Sequence, residues 1–226
     1  MTGHPPFTPP EFLVSETGPV LGTPGKPNPG GTAELPVETR LRLADDYFEE
    51  IYSGDDDPWK FASSWYERRK YDLTLAALPR QRYRRAFEPG CSIGVLSEGL
   101  ARRCDELVSM ELMPRIAECA DARLMPYPNA VVQRGAVPEV WPAGRFDLIV
   151  LSEISYYLTD EGLERTLELM AESLLPGGEV VGVHYLGATN YPQTGRAVQD
   201  RLLGWCGATA VAQYAEDQFS LVVMRR

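Results

Sequence analysis

The chain has 226 residues, enough for one domain with a full core plus a short appendage. Its formal net charge of -10 leaves no basic stripe for neutralising phosphates, so the composition disfavours a nucleic-acid substrate and favours a neutral or cationic acceptor. The four cysteines include no C-x-x-C pair, which gives no spacing for a zinc or iron–sulfur site, and we expect reduced, mostly buried thiols. No run approaches the ~20 apolar residues of a membrane span, and the N-terminus does not resemble a secretory signal, so we expect a cytoplasmic protein.

Residues 1–36 differ in composition from the rest of the chain. They hold nine of the 19 prolines and six of the 20 glycines, without apolar periodicity. This composition predicts a disordered leader. Residues 37–226 are then expected to form the folded domain, with 37–80 as N-terminal helices or a lid.

The first predicted helix is amphipathic and ends near Tyr52. Its apolar residues recur at helical spacing at Leu41, Ala44, Phe48 and Ile51. The following acids at 55–57 precede Pro58 and predict a solvated turn, since no further ligand cluster accompanies them as a metal site would require.

A second helix is predicted to start at Ser64, where Ser64-Trp65-Tyr66-Glu67 matches a capping box, and to stop before Pro79. Aromatic residues crowd this region, beside cations such as Lys70. They are typical of a core-facing stripe, or of a lid over a ligand, and both interpretations stay open.

The segment Phe87-Glu88-Pro89-Gly90-Cys91-Ser92-Ile93-Gly94 follows a short predicted strand and leads into a helical pattern. Glycines at 90 and 94 allow backbone to approach a ligand closely, although an ordinary turn has the same appearance. The next predicted strand ends in Glu111, where a carboxylate is placed to accept from ribose hydroxyls. The turn lacks the full G-x-G-x-x-G of dinucleotide enzymes, which favours S-adenosylmethionine over NAD.

Strands and helices then alternate along the chain. Strands are predicted at 106–110, 130–132, 145–153 and 179–185, with a closing antiparallel pair at 208–213 and 218–224. Helices are predicted from Val95, over Pro114–Leu124 and from Asp160. The nearly continuous apolar run at 145–153 is typical of a central parallel strand buried on both faces. The pattern predicts a doubly wound, Rossmann-like α/β fold of seven strands with an antiparallel last strand, whose ligands bind at the carboxyl ends of the strands.

The combination of glycine turn, acid after the second strand, Phe-Asp-Leu-Ile-Val and Leu-Pro-Gly-Gly resembles the class I S-adenosylmethionine-dependent methyltransferases. More narrowly, four segments are similar to the NodS-type nodulation methyltransferase family over about residues 40–226. They are Asp57-Pro58-Trp59, the run 64–71, the glycine turn and Leu151-Ser152-Glu153-Ile154-Ser155-Tyr156-Tyr157-Leu158. This resemblance implies N-methylation of a small-molecule amine, most specifically on the non-reducing glucosamine of a chitooligosaccharide. One departure is Gln199, where the family tends to carry a histidine, and this puts the sugar substrate in doubt.

The resemblance and the predicted fold together give a set of candidate site residues. Glu153 and His184, at the ends of strands four and five, are the catalytic candidates that hold the amine or accept its proton. The cofactor candidates are Trp59, Tyr66, Lys70, Glu88, Gly90, Cys91, Gly94, Glu111, Leu112, Ala136, Val137 and Ser152. The substrate candidates are Tyr156, Tyr157, Tyr185 and Tyr191, and no metal site is expected. A cofactor-binding module without turnover and an O-methyltransferase remain alternatives.

Overall fold

The computed structural model describes residues 41–226. The predicted leader at 1–36 lies outside the described residues, as do the first four residues, 37–40, of the predicted lid. Two helices, α1 (Asp45–Tyr52) and α2 (Trp65–Ala77), precede the sheet. We refer to residues 41–77 as the N-terminal lid, because this segment covers one edge of the sheet.

Seven strands form one sheet. They are β1 (Tyr83–Pro89), β2 (Cys104–Glu111), β3 (Ala130–Arg134), β4 (Phe146–Ser152), β5 (Leu174–Tyr185), β6 (Thr209–Ala215) and β7 (Phe219–Arg225). Their order across the sheet is β3-β2-β1-β4-β5-β7-β6, with β1 to β5 parallel and β7 antiparallel to both of its neighbours. The predicted Rossmann-like fold, including its antiparallel last strand, is confirmed.

The central strand β4 shows why the sheet has two apolar faces. Ile149 and Leu151 belong to a buried cluster that α5 (Asp160–Ser173) and α6 (Gly195–Leu203) cover, whereas Leu148 and Val150 belong to the cluster on the opposite face, under α3 (Val95–Ala101). Alternate residues of a strand point to opposite faces, so a strand covered on both sides must be apolar throughout. The helices after the lid are α3 (Val95–Ala101), α4 (Pro114–Leu124), α5 (Asp160–Ser173) and α6 (Gly195–Leu203).

The N-terminal lid departs from the predicted helix at its start. The apolar spacing from Leu41 predicts helix there, but α1 begins only at Asp45. Arg42 instead pairs with Leu158 in an isolated antiparallel bridge, with Leu43 N–H donating to Tyr157 O. The extended segment is therefore tied to the turn after β4, and pairing with a distant segment overrides local helical spacing.

The predicted start of α2 is correct, but the capping box is not formed. Ser64 occupies the N-cap position without a side-chain cap hydrogen bond. Glu67 turns away from the helix start, is 2% exposed and pairs with Lys70. The acidic turn before α2 is built from local contacts, since Asp57 accepts from the backbone N–H groups of Phe61 and Ala62.

Helix α6 is not among the helices that the sequence predicts. Thr194 caps it by accepting from Ala197 N–H, and Val198 and Leu202 pack into the core. All four cysteines are free; Cys91 and Cys104 are buried, Cys119 is half-buried and Cys206 is exposed, so burial is less general than expected. Within residues 41–226, no helix combines the length and apolar character needed to cross a membrane.

Candidate functional site

A cavity lies at the carboxyl ends of β1, β2 and β4, between the sheet and the N-terminal lid. Most of the candidate residues line it. Those that do are Trp59, Tyr66, Lys70, Glu88, Gly90, Cys91, Glu111, Leu112, Ala136, Val137, Ser152, Glu153, Tyr156, Tyr157, Tyr185 and Tyr191. Gly94 and His184 are not among the lining residues. The sheet topology explains this grouping, because the carboxyl ends of parallel strands meet at one edge.

Glu111, the last residue of β2, contacts the glycine turn directly. Its Oε2 accepts from Ser92 N–H at 2.9 Å, and its Oε1 accepts from Met113 N–H at 2.9 Å. Burial raises the pKa of Glu111, although these backbone N–H groups oppose the shift. Each carboxylate oxygen has two lone pairs, so each keeps one for a further donor. The carboxylate is thus fixed in orientation and still able to accept two hydrogen bonds.

The two glycines of the turn serve different purposes. Gly90 has φ +71°, and a Cβ there would collide with the side chain of Ile154, so only glycine fits at this point of the cavity wall. Gly94 has φ +78° and is not among the residues that line the cavity, so its cofactor role stays a prediction. A Cβ at Gly94 would lie 3.2 Å from Ala120 Cα, which shows that this glycine allows α3 to pack closely on α4.

Glu88 lies at the end of β1 and is 2% exposed. Its Oε2 accepts from Ser97 Oγ at 2.5 Å and from Ser109 Oγ at 2.9 Å. Burial raises the pKa of Glu88 to about 7, against the opposing effect of the two serine hydroxyls. Near neutral pH this carboxyl group is therefore close to half protonated.

The lid is joined to the glycine turn through Tyr52. The Tyr52 hydroxyl lies 2.9 Å from Ser92 Oγ, and Arg115 of α4 donates to Tyr52 O. Next to Tyr52 the Trp59 ring makes an edge contact at 5.4 Å and stacks on Phe61 at 5.5 Å. The aromatic residues of the lid thus pack on one another and also line the cavity, so both interpretations of this region stay open.

Glu153 follows β4 and has its backbone in the left-handed region, with φ +60°. Its Oε2 accepts from the Tyr156 hydroxyl at 2.8 Å and lies 3.6 Å from Lys70 Nζ. Its Oε1 is buried and has no hydrogen-bond partner among residues 41–226. One oxygen is therefore held in place, while the other is open to a donor in the cavity.

Lys70 is one of the predicted cofactor residues, but its ammonium group is engaged by the protein itself. It is 1% exposed, and its Nζ lies 3.0 Å from Glu67 Oε2 in addition to its contact with Glu153. Burial lowers the pKa of Lys70, but Glu153 and Glu67 outweigh it and raise the pKa overall. The ammonium group is thus protonated and already faces two carboxylates of the protein.

His184 also differs from its predicted role. It is fully buried within β5, and its Nδ1 lies 3.2 Å from Gln199 Oε1 on α6. Burial lowers the pKa of His184 to about 4. The imidazole is neutral at physiological pH and packs behind Tyr156, whose ring centroid is 6.1 Å away. Gln199, where the family tends to carry histidine, is 8% exposed and supports His184 from outside the cavity lining.

The substrate candidates form one aromatic group. Tyr156 stacks on Tyr191 at 5.0 Å with an interplanar angle of 15°, and Tyr157 meets Tyr191 edge-on at 4.6 Å. From the lid, Phe48 contacts Tyr157 at 5.1 Å. Tyr185 lines the same cavity. The lid and the loop before α6 therefore close one end of the cavity with aromatic rings.

Some cavity residues escape the sequence interpretation. Glu67, Tyr52 and Phe48 line the cavity but are not among the candidates. The capping-box pattern assigned Glu67 to the start of α2, so the sequence did not place it in the site. Its spacing of three residues from Lys70 on one helix face nevertheless indicates an ion pair. Phe48 and Tyr52 lie four residues apart on α1, which is the spacing of one helix face, and the amphipathic pattern points to that face without showing what it covers.

Comparison with known proteins places this site in a family. Residues 48–226 match the family model of nodulation protein S (NodS). The chain is 28% identical over 128 residues to nodulation protein S of Rhizobium tropici, and 32% identical over 111 residues to that of Bradyrhizobium diazoefficiens. These matches span 56% and 46% of the chain, and only 54% and 51%, about half, of the two curated relatives.

Two crystal structures extend the likeness over more of the chain. One is a proposed methyltransferase from Pseudomonas syringae, 41% identical, with a TM-score of 0.65 over 72% of this chain and 100% of that one. The other is the N-methyltransferase NodS from Bradyrhizobium japonicum in complex with S-adenosyl-L-homocysteine, 25% identical, with a TM-score of 0.72 over 80% of this chain and 97% of that one. The family model covers most of the chain, and the fold agrees with that of the NodS structure over 80% of it: the chain belongs to the nodulation protein S (NodS) family.

Proposed function

We propose that the chain is an S-adenosylmethionine-dependent N-methyltransferase that acts on the amine of an amino sugar or oligosaccharide. The observation that carries the proposal is the meeting of two carboxylates in one cavity. Glu111 is anchored on the glycine turn with two lone pairs to spare, and Glu153 presents an unpartnered oxygen. The relationship to the Bradyrhizobium N-methyltransferase supports the same activity.

The residues around the glycine turn fit a nucleoside. The remaining lone pairs of Glu111 accept from the two ribose hydroxyls, and the absence of a side chain at Gly90 leaves the wall open to close approach. Leu112, Ala136 and Val137 line the adjoining part of the cavity with apolar groups suited to the faces of adenine. Ala136 has no carboxyl group that could accept a hydrogen bond from adenine, so a backbone N–H contacts the base there.

The cavity walls also fit the amino-acid portion of the cofactor. Glu88, Cys91 and Ser152 line the strand ends, and Trp59 and Tyr66 cover them from the lid. Among the described lining residues, the four carboxylates Glu67, Glu88, Glu111 and Glu153 outnumber the two basic residues Arg42 and Lys70. This balance favours cationic ligands, in agreement with a sulfonium cofactor and an amine acceptor.

When bound, S-adenosylmethionine supplies an electrophilic methyl group. The protein must deliver a neutral amine to it in a fixed orientation. Glu153 Oε1 accepts a hydrogen bond from the nitrogen of the acceptor and then takes the proton from that nitrogen. The nitrogen lone pair is then free to react. The tyrosines at 156, 157 and 191 exclude water and offer ring faces to a sugar.

The test is transfer of a labelled methyl group from S-adenosylmethionine to a chitooligosaccharide with a free amine on its non-reducing sugar. Mass analysis of the product locates the methyl group on nitrogen or oxygen, which separates an N-methyltransferase from an O-methyltransferase. Binding of S-adenosylhomocysteine without transfer to any of a panel of amino sugars and polyamines indicates a module without turnover. Absence of binding, with tight binding of NAD instead, refutes the proposal.

A further inference from the structure

Three charged side chains, two of them buried and one half-buried, meet in the wall of the cavity. Lys70 of α2 stands between Glu67 of the same helix and Glu153 after β4, with Nζ to oxygen distances of 3.0 Å and 3.6 Å. The side chains of Lys70 and Glu67 are 1% and 2% exposed. Burying charges is costly unless they are paired, and here two carboxylates share one ammonium group. When all three are ionised, the group carries one excess negative charge.

The contacts of Lys70 are unequal. The shorter contact joins Lys70 to Glu67, which also accepts a hydrogen bond from Nζ at Oε1. The longer contact of 3.6 Å to Glu153 Oε2 exceeds normal hydrogen-bond length. Glu67 therefore makes the shorter contact with Lys70, and because one ammonium group faces two carboxylates, one negative charge of the group stays uncompensated.

The uncompensated carboxylate faces the ligand. Tyr156 fixes Glu153 Oε2 at 2.8 Å, and Oε1 is buried without a hydrogen-bond partner in the described part of the chain. A buried carboxylate oxygen without a donor costs free energy, so this arrangement is completed when a ligand supplies one. A protonated primary amine supplies both the donor and the missing positive charge.

Resting on the proposed function, we propose that Glu67 determines the acceptor class of this site. Glu67 neutralises Lys70, so that the remaining negative charge stays on Glu153 and Oε1 receives a primary ammonium group. Glu67 thus acts as a positioning residue through Lys70, and Lys70 is not a ligand of the cofactor. The site then selects a free amine over an acetylated amine or a hydroxyl, because only the ammonium group restores neutrality.

The first test is made on the wild-type protein saturated with S-adenosylhomocysteine at pH 7. Calorimetry compares a chitotetraose bearing a free amine on its non-reducing sugar with the fully acetylated sugar. We expect the free amine to bind about 100-fold more tightly, because the acetylated sugar leaves the Glu153 charge unpaired. Equal affinities for the two sugars overturn the proposal, and this result does not depend on the folding of any variant.

The second test is charge removal and its rescue. In Glu67→Gln, Lys70 has Glu153 as its sole carboxylate neighbour in the group, so we expect affinity for the free amine to fall about tenfold or more. The double variant Glu67→Gln with Lys70→Met removes the competing cation and returns the negative charge to Glu153. We expect it to recover amine affinity to within about threefold of the wild type. A purely structural role for Glu67 predicts a double variant at least as impaired as the single one, and that outcome overturns the proposal.

The cofactor side is measured in the same proteins. We expect S-adenosylhomocysteine to bind the single and double variants within about twofold of the wild type. If the double variant loses that affinity about tenfold or more, Lys70 binds the cofactor and the proposal is wrong. Failure of the proposed function has a different signature, because S-adenosylhomocysteine then fails to bind the wild type itself or no methyl transfer occurs.

Discussion

Replacing Glu111 by glutamine tests the nucleoside site with a minimal change of shape. Both oxygens of Glu111 accept backbone N–H groups at 2.9 Å, one from Ser92 and one from Met113. Glutamine keeps one acceptor oxygen, but its NH₂ group must face one of these two donors. The substitution therefore removes the negative charge and one ribose acceptor, and it leaves one of these two backbone N–H groups without a partner.

The size of the effect follows from these contacts. A hydrogen bond to a charged group contributes about 1.5–3 kcal/mol, so losing one of two ribose contacts weakens nucleoside binding about 10- to 150-fold. Glu111→Ala removes both contacts and abolishes measurable binding. The unpaired backbone N–H costs about 1–3 kcal/mol of folding stability as well, because the site is buried.

Calorimetric titration with S-adenosylhomocysteine measures the affinity, and urea unfolding establishes that the variant is folded under the same conditions. Glu118→Gln is the matched control, since Glu118 is exposed on α4 and does not line the cavity. We expect the control to bind like the wild type. A folded Glu111→Gln protein that binds S-adenosylhomocysteine within about twofold of the wild type refutes the assignment of Glu111 to the ribose.

Three further substitutions give separate predictions. Gly90→Ala puts a Cβ against Ile154 at φ +71°, so we expect urea unfolding to show a loss of about 1–2 kcal/mol or more, together with weaker S-adenosylhomocysteine binding. His184 has its pKa lowered to about 4 by burial, so its contribution to stability is present above pH 6.5 and is lost as the pH falls towards 4. Between pH 7 and pH 4, the free energy of unfolding of His184→Leu should fall by up to about 3 kcal/mol less than that of the wild type. An equal fall in both proteins contradicts this prediction. Glu88 has its pKa raised to about 7 by burial, so its contribution is present below pH 4.5 and is lost as the pH rises through 7. Between pH 4.5 and pH 8, the free energy of unfolding of Glu88→Gln should therefore rise by up to about 3 kcal/mol relative to that of the wild type. If the two proteins differ by the same free energy of unfolding at both pH values, this prediction is refuted.

The fold could be predicted from the sequence because its signals are local. The apolar run of β4 and the spacing of Leu163, Leu167 and Met170 in α5 each record which faces are buried. Helix α6 was not predicted from its sequence, and the reason is physical. Its start depends on the Thr194 cap and on Gln193 N–H donating to Tyr156 O, a contact between segments far apart in the chain.

Within the candidate site, strand ends could be predicted, but side-chain direction could not. His184 and Tyr185 are neighbours at the end of β5, and alternation sends them to opposite faces. Tyr185 lines the cavity, whereas His184 turns towards Gln199 on α6. The choice depended on where α6 packs, which the sequence pattern does not contain. The same limitation applies to Lys70, whose partner Glu153 is distant in sequence and meets it only in the folded chain.

Backbone strain in this molecule is concentrated at the proposed site. Within residues 41–226, the non-glycine residues with positive φ are Lys60, Ser92 and Glu153. Such a conformation costs about 1–2 kcal/mol per residue relative to glycine, so each position would be more stable with glycine unless its side chain is needed. Ser92 meets Tyr52 of the lid, and Lys60 pairs with Asp55 within the lid. Glu153 is the one of the three whose side chain carries an oxygen left without a partner, while its other oxygen accepts from Tyr156. An oxygen of this kind is expected where a side chain is retained for a ligand, and this supports the proposed role of Glu153 in receiving the amine.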